Sequence, residues 1–207
     1  MTPSDYHEAL WRELPDGLTP AAFEPRLSFL LESAAPGLRV LDVGCGEGAF
    51  AARLLEAGSE VVGVDVAEEP LRRARLRHPV LDLRLLESES SWGLEDSSFD
   101  LVWAGEVIEH VADIAGWLSE LRRVLRSGGV LALSTPRLGR SELLGASLSE
   151  RLFARQFDPR SDHLRFFAPA TLRALLEDFG FEQVQIRSRG RPGTARLLLC
   201  RAVRSRY

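Results

Sequence analysis

The 207-residue sequence predicts an α/β protein with a doubly wound, mostly parallel sheet and helices on both faces. Three observations carry this. Short apolar runs alternate with longer runs of helical periodicity through most of the chain. The first apolar run passes directly into glycines spaced two apart, and a helix-like stretch follows. The last two apolar runs are joined by a short connection rich in glycine and proline, which suits an antiparallel hairpin and is too short for a crossover.

The elements follow in order. Tyr6, Leu10, Trp11 and Leu14 have helical spacing, and Pro15-Asp16-Gly17 ends that segment. A second helix starts at Ala21 or Pro25, runs to Ser33 and stops before Pro36-Gly37. Strands are expected at 39–43, 60–65, 81–86, 99–104 and 129–135, with helices at 47–57, 68–77 and 113–126. One helix is expected between Glu142 and Arg155, inside an irregular region at 137–165. Another, at 170–179, stops at Gly180. Strands at 182–187 and 195–203 close the chain.

Composition narrows the class. Hydrophobic residues make up 45% and charged residues 27%, as in an ordinary globular domain, and the length suffices for one core. No run is long and apolar enough for a membrane helix, and no signal peptide is expected. Cys45 and Cys200 lie far apart and form no disulfide framework, which points to a reducing cytoplasm. Every one of the 26 Lys+Arg residues is arginine, a bias expected of a GC-rich bacterial genome. A net charge of −4 argues against general nucleic-acid binding. The arginines between Arg187 and Arg206 read as solvated strand faces and tail.

The run Val40-Leu41-Asp42-Val43-Gly44-Cys45-Gly46-Glu47-Gly48 is the most informative stretch. Glycines at such a turn accept positive φ and let backbone approach a ligand, or they form a tight turn and nothing more. Glu60-Val61-Val62-Gly63-Val64-Asp65 follows as a second strand ending in an acid. Asp65 lies roughly 20 residues beyond the glycines, where an acid accepts the hydrogen bonds of a ribose diol. It equally suits an N-cap for the next helix.

Together, 40–48 and 61–65 resemble the first two motifs of class I S-adenosylmethionine-dependent methyltransferases, of the type 11/23 group that includes ubiquinone-biosynthesis O-methyltransferases. Ser98-Phe99-Asp100-Leu101-Val102 resembles that family's fourth strand. The stretch from Leu121 to Leu131, with Gly128-Gly129, resembles the helix and turn before its fifth. The likeness covers about 39–184. It implies a Rossmann-like seven-stranded sheet with an antiparallel last strand, and S-adenosylmethionine as cofactor, released as S-adenosylhomocysteine. It also implies one domain over 1–207. Within it, 1–37 would form a helical lid, 38–136 the cofactor half, 137–168 an acceptor-side lid, and 169–207 a helix and hairpin.

By the same resemblance, Gly44, Cys45, Gly46 and Gly48 form the cofactor loop, and Asp42 orients it. Asp65 takes the ribose hydroxyls, with Val66 against adenine. Glu87, Ser88 or Glu89 lies near the adenine amino group, and Trp92 covers the adenine edge or belongs to the core. Ala104 and Gly105 run along the methionine moiety. Arg26 reaches the cofactor carboxylate or sits on the surface.

Glu106-Val107-Ile108-Glu109-His110 follows the fourth strand, so its two carboxylates and imidazole project from one turn. Such a set either binds a divalent metal or presents a base with orienting acids. His163 lies downstream. Ubiquinone-type O-methyltransferases and small-RNA 3′-terminal 2′-O-methyltransferases resemble this arrangement. In the RNA enzymes four such residues bind a metal, which carries over to Glu106, Glu109, His110 and His163. Without a metal, His110 or His163 would be the base and Glu109 a partner. Phe153 and Phe157, with Arg137, Arg140, Arg155 and Arg160, would line the acceptor lid or simply pack it.

The expected activity is methyl transfer to a small molecule, at oxygen, by a cytoplasmic enzyme that is a monomer or homodimer. An RNA 3′-terminal 2′-O-methyltransferase, a nicotinamide (NAD) oxidoreductase and a non-catalytic cofactor-binding regulator are the alternatives.

Overall fold

A computed structural model describes residues 3–137, 140–158, 161–190 and 197–206. Arg160, Arg191 and Arg196 lie outside the described residues, and the side chains of Arg140 and Arg155 are not described.

The chain runs α1 (Pro3–Glu13), α2 (Phe23–Leu31), β1 (Arg39–Val43), α3 (Ala49–Glu56), β2 (Glu60–Asp65) and α4 (Glu68–Arg77). Then come β3 (Asp82–Leu85), β4 (Phe99–Gly105), α5 (Ile114–Val124), β5 (Leu125–Pro136), α6 (Arg140–Leu148) and α7 (Glu150–Gln156). The chain closes with α8 (Pro169–Asp178), β6 (Phe181–Arg189) and β7 (Leu197–Arg204). Seven strands form one sheet in the order β3-β2-β1-β4-β5-β7-β6. Strand β7 runs antiparallel to both β5 and β6, and the pairings among β1–β5 are parallel.

Strand alternation divides the core between the two faces. Val40, Val61, Leu101 and Trp103 pack with Leu27 and Leu30 of α2 and with Phe50 and Leu54 of α3. Leu41, Val62, Val102 and Leu131 point the other way, to Trp117, Leu118 and Leu121 of α5 and Leu172 and Leu176 of α8. Both faces are covered, as buried parallel strands require.

Most boundaries shift by a residue or two from the sequence expectation, 195–196 lie outside the described residues, and three differences have a clear physical cause. Helix α3 starts at Ala49 because Gly48 has φ +80°, outside the helical region. Strand β5 begins at Leu125, ahead of the glycine turn, because Leu125 pairs with Phe99 and the following residues bulge before pairing resumes at Leu101–Val130. The single helix expected at 142–155 is two helices. Ser149 has extended φ/ψ, and its hydroxyl caps α7 by accepting from Leu152 N.

Sheet order reverses at β1, from which the chain goes outward to β2 and β3 and then back past β1 to β4. Open α/β sheets bind ligands beyond the strand ends at this crevice.

Candidate active site

A cleft of about 210 Å³ opens there. Val43 and Gly44 line it at the end of β1, Asp65 and Val66 at the end of β2, Leu86 just after β3, and Glu106 and Val107 just after β4. Its far walls are Glu89, Trp92, Trp117, His110, Val111 and Asp162, and α1 contributes His7, Leu10, Trp11 and Leu14.

The glycine loop has the expected shape. Gly44, Gly46 and Gly48 all have positive φ, between 53° and 80°. Gly44 N and Cys45 N donate to Val64 O at 2.8 and 3.0 Å, which binds the loop to β2. A side chain at Gly44 would collide with Val107. Gly48 packs against α4 and lies away from the cleft.

Asp65 is buried and performs a local task besides lining the cleft. Its Oδ2 accepts from Gly46 N and its Oδ1 from Ala67 N, both at 3.0 Å. Each oxygen can accept a further bond. Burial raises its pKa, against the pull of these backbone N–H donors. Asp65 therefore serves helix entry and the loop while keeping acceptor capacity toward the cleft.

Asp42, in β1, and Cys45, in the loop, are both buried and do not line the cleft. Asp42 is 1% exposed and accepts from Ala51 N, and burial pushes its pKa up to about 7. Its Oδ2 has no partner. Burial holds the Cys45 thiol far above its ordinary pKa, which removes it as a nucleophile.

Arg26 is 2% exposed, so a surface role is corrected. Its guanidinium stacks over Phe50 at 4.8 Å and Trp103 at 5.8 Å and donates to Ala21 O. Burial lowers its pKa, opposed by the charges of Glu106, Glu109 and Asp42. A side chain at Gly105 would strike it, so Arg26 lies beneath the end of β4.

Of the three candidates after β3, only Glu89 lines the cleft. Glu87 is exposed, and Ser88 pairs with Ser91 in an isolated bridge. The Glu89 carboxylate accepts from Ala112 N at 2.8 Å, which ties this loop to the entry of α5. Leu86 supplies the apolar wall there and was missed, since a single leucine at a strand end has no distinguishing signal. Trp92 both lines the cleft and belongs to the core, at 5% exposure. Ala104 is buried within β4.

The turn after β4 is strained. Glu106 has φ +60°, a left-handed conformation that a non-glycine residue adopts at a cost. Its N–H donates to Ser134 O and its Oε1 accepts from Ser134 Oγ at 2.9 Å, so β5 holds it. Glu109 is fully buried and accepts from Thr135 Oγ1 at 3.0 Å, while its Oε1 is unpartnered. Burial, then the charge of Glu106, holds Glu109 well above the ordinary glutamate pKa.

His110 Nδ1 lies 3.0 Å from Asp162 O, which assigns the ring proton to Nδ1. Nε2 is then the acceptor, 3.8 Å from Glu109 Oε1. Burial lowers the His110 pKa, against the pull of Asp162. The His163 ring meets His110 at 4.9 Å between centroids, and ligand atoms of Glu109, His110 and His163 all lie within 4.8 Å of one another. Glu106 falls outside that trio, because its carboxylate is turned toward Ser134. The sequence reading also missed His7, whose ring lies 6.0 Å from that of His110.

An open, mostly parallel sheet with a glycine loop and a strand-end acid at its switch point is the arrangement of nucleotide-cofactor sites. Comparison with known proteins identifies which kind. The family described as a methyltransferase domain matches residues 11–186. The ubiquinone biosynthesis O-methyltransferase of Hahella chejuensis is 35% identical over 170 residues, 78% of this chain and 71% of that protein. The protein of the same name from Ruegeria is 36% identical over 166 residues, 74% of this chain and 65% of its own. Among solved structures, phosphoethanolamine N-methyltransferase 2 of Haemonchus contortus, in complex with S-adenosyl-L-methionine, aligns with a TM-score of 0.74 at 16% identity. That match covers 99% of this chain and 57% of the nematode enzyme. The chain belongs to the S-adenosylmethionine-dependent methyltransferases.

The residues fit that cofactor. Asp65 offers acceptor capacity for two hydroxyls, Val66, Leu86 and Trp92 offer apolar faces, and Gly44 leaves the backbone bare where a side chain would fill the crevice.

Proposed function

We propose that the enzyme methylates a hydroxyl of a small-molecule acceptor. Relatives named for O-methylation in ubiquinone biosynthesis support oxygen as the target. The observation that carries the reading is the His110–His163–Glu109 group at the edge of the cofactor cleft.

Bound S-adenosylmethionine supplies a methyl group on a sulfonium, already activated toward a nucleophile. The protein then needs only to align the acceptor and remove its proton. His110 suits the second task. Its Nδ1–H is held by Asp162 O, and its Nε2 is free to take a hydroxyl proton. Asp65 holds the ribose and Gly44 with Val66 the flanking moieties. Residues 1–37 and 137–168 close over the cofactor and acceptor sides of 38–136, and 169–207 completes the sheet.

A second reading rests on the ligand atoms of Glu109, His110 and His163 within 4.8 Å. These residues would hold a divalent cation, which would lower the acceptor pKa. Ionised Glu109 and a cation would stabilise each other, and the unpartnered Oε1 would gain a partner.

The test is turnover of labelled S-adenosylmethionine with hydroxylated small molecules, followed by identification of the labelled product. A methyl ether is expected, and a labelled amine or RNA terminus would overturn the proposal. Full activity in excess EDTA would rule out the metal reading.

A further inference from the structure

Helix α1 lies across the cofactor loop, yet none of its described residues is buried. The Trp11 indole lies 3.0 Å from where a Cβ on Gly46 would stand. A helix that supplies no core residue needs another anchor, and two buried charges provide it.

Arg73 of α4 is 7% exposed. Its Nη2 donates to Trp11 O at 2.9 Å and its Nη1 to Leu14 O at 2.9 Å. These carbonyls belong to the end of α1, where the helix leaves acceptors unsatisfied and a cation faces the negative end of the dipole. The same Nη1 reaches Glu47 Oε1 at 3.3 Å, and Nε faces Glu69 and Asp16, each at 2.7 Å. Glu47 stands between Gly46 and Gly48 in the cofactor loop and is 6% exposed. It also accepts from Gly17 N at 2.8 Å and from Arg77. One charge network therefore joins the helix above the cleft to the loop beneath it. Its outer members, Asp16 and Arg77, reach solvent, so it can open without dismantling the core.

We propose that Arg73 and Glu47 are positioning residues that latch α1 over the cleft, so that S-adenosylmethionine and S-adenosylhomocysteine exchange only when the latch opens. Closure places Trp11 and His7 over the loop and beside His110 and keeps water from the reacting groups. Each substitution weakens bonds that tie α1 and the segment after it to α4 and the loop, so single substitutions shift the latch toward open.

The latch rests on the cleft being the cofactor site, and the experiment separates the two. S-adenosylhomocysteine release is measured by stopped-flow displacement for wild type, Arg73→Lys, Glu47→Gln, Trp11→Ala and the Trp11→Ala/Arg73→Lys double variant. Melting temperatures confirm that each is folded. Lysine keeps the charge but cannot span two carbonyls and two acids. Each single variant should release product about tenfold faster or more, because affinity differences reside mostly in dissociation. The double variant should be no faster than the faster single, since both act through α1. Release within about twofold of wild type in Arg73→Lys and Glu47→Gln, or effects that multiply in the double variant, would overturn the latch. An Asp65→Ala variant with unchanged affinity for S-adenosylhomocysteine would overturn the site and the latch with it.

Discussion

Asp65 and Asp42 are buried carboxylates from adjacent strands with opposite relations to the cleft. Asp65 lines it and binds the loop, so Asp65→Ala should weaken S-adenosylhomocysteine binding by calorimetry. Hydrogen bonds to a charged acceptor contribute about 1.5–3 kcal/mol each, and about 1.4 kcal/mol is tenfold, so losing one implies at least a tenfold loss. Asp65→Asn keeps an acceptor and should lose less. Asp42 faces inward, and burial raises its folded pKa to about 7, above the ordinary aspartate value of about 3.9. The folded state therefore binds the extra proton between those values, and stability from this group falls as pH rises through that window. In urea titrations from pH 5 to 8, wild type should lose stability relative to Asp42→Asn, most steeply below about pH 7. A constant difference across that range would show that Asp42 is already ionised at pH 5.

At the scale of elements, the glycine-loop side of the cleft is built from contiguous motifs and the histidine side is not. The strand-loop-helix of β1 and α3 and the acid ending β2 are local in sequence, and they were legible there. The segment carrying His163 is placed by long-range bonds. Leu164 N donates to Glu109 O at 2.8 Å, and Arg165 donates to Val111 O and Ala112 O. No local pattern announces Arg165 as the strut that sets His163 beside His110. Arg165→Ala should therefore lower turnover about tenfold or more while cofactor affinity stays near wild type, since a small misplacement of reacting groups is costly. Parallel loss of cofactor affinity would show that the segment supports the whole cleft. The break at Ser149 was missed for a related reason. Serine is tolerated within helices, and only the fold decides whether it caps.

At the scale of the whole molecule, the sheet is a rigid platform and the chemistry sits at its rim. Leu133 in β5 is fully buried, with paired strands on both sides. Leu133→Ala should cost about 2–5 kcal/mol in urea unfolding, the range for a buried leucine whose surroundings cannot collapse. A cost well below that would mean that the core repacks around the void. Helix α1, none of whose described residues is buried, belongs to the least stable part of the molecule, from which moving lids are drawn.

The sequence by itself determined the alternating architecture, the reversed last strand, the glycine loop and the acid at the end of β2. Each is written in residues close together in the chain, where spacing alone constrains backbone geometry. Only the tertiary structure decided that Arg26 is buried beneath the end of β4, that Glu106 turns away from the histidines and that α1 lies over the loop. It also decided that Glu89 alone of three candidates lines the cleft. These depend on contacts between residues far apart in sequence, whose partners are chosen by packing and charge compensation, and no local pattern encodes that choice.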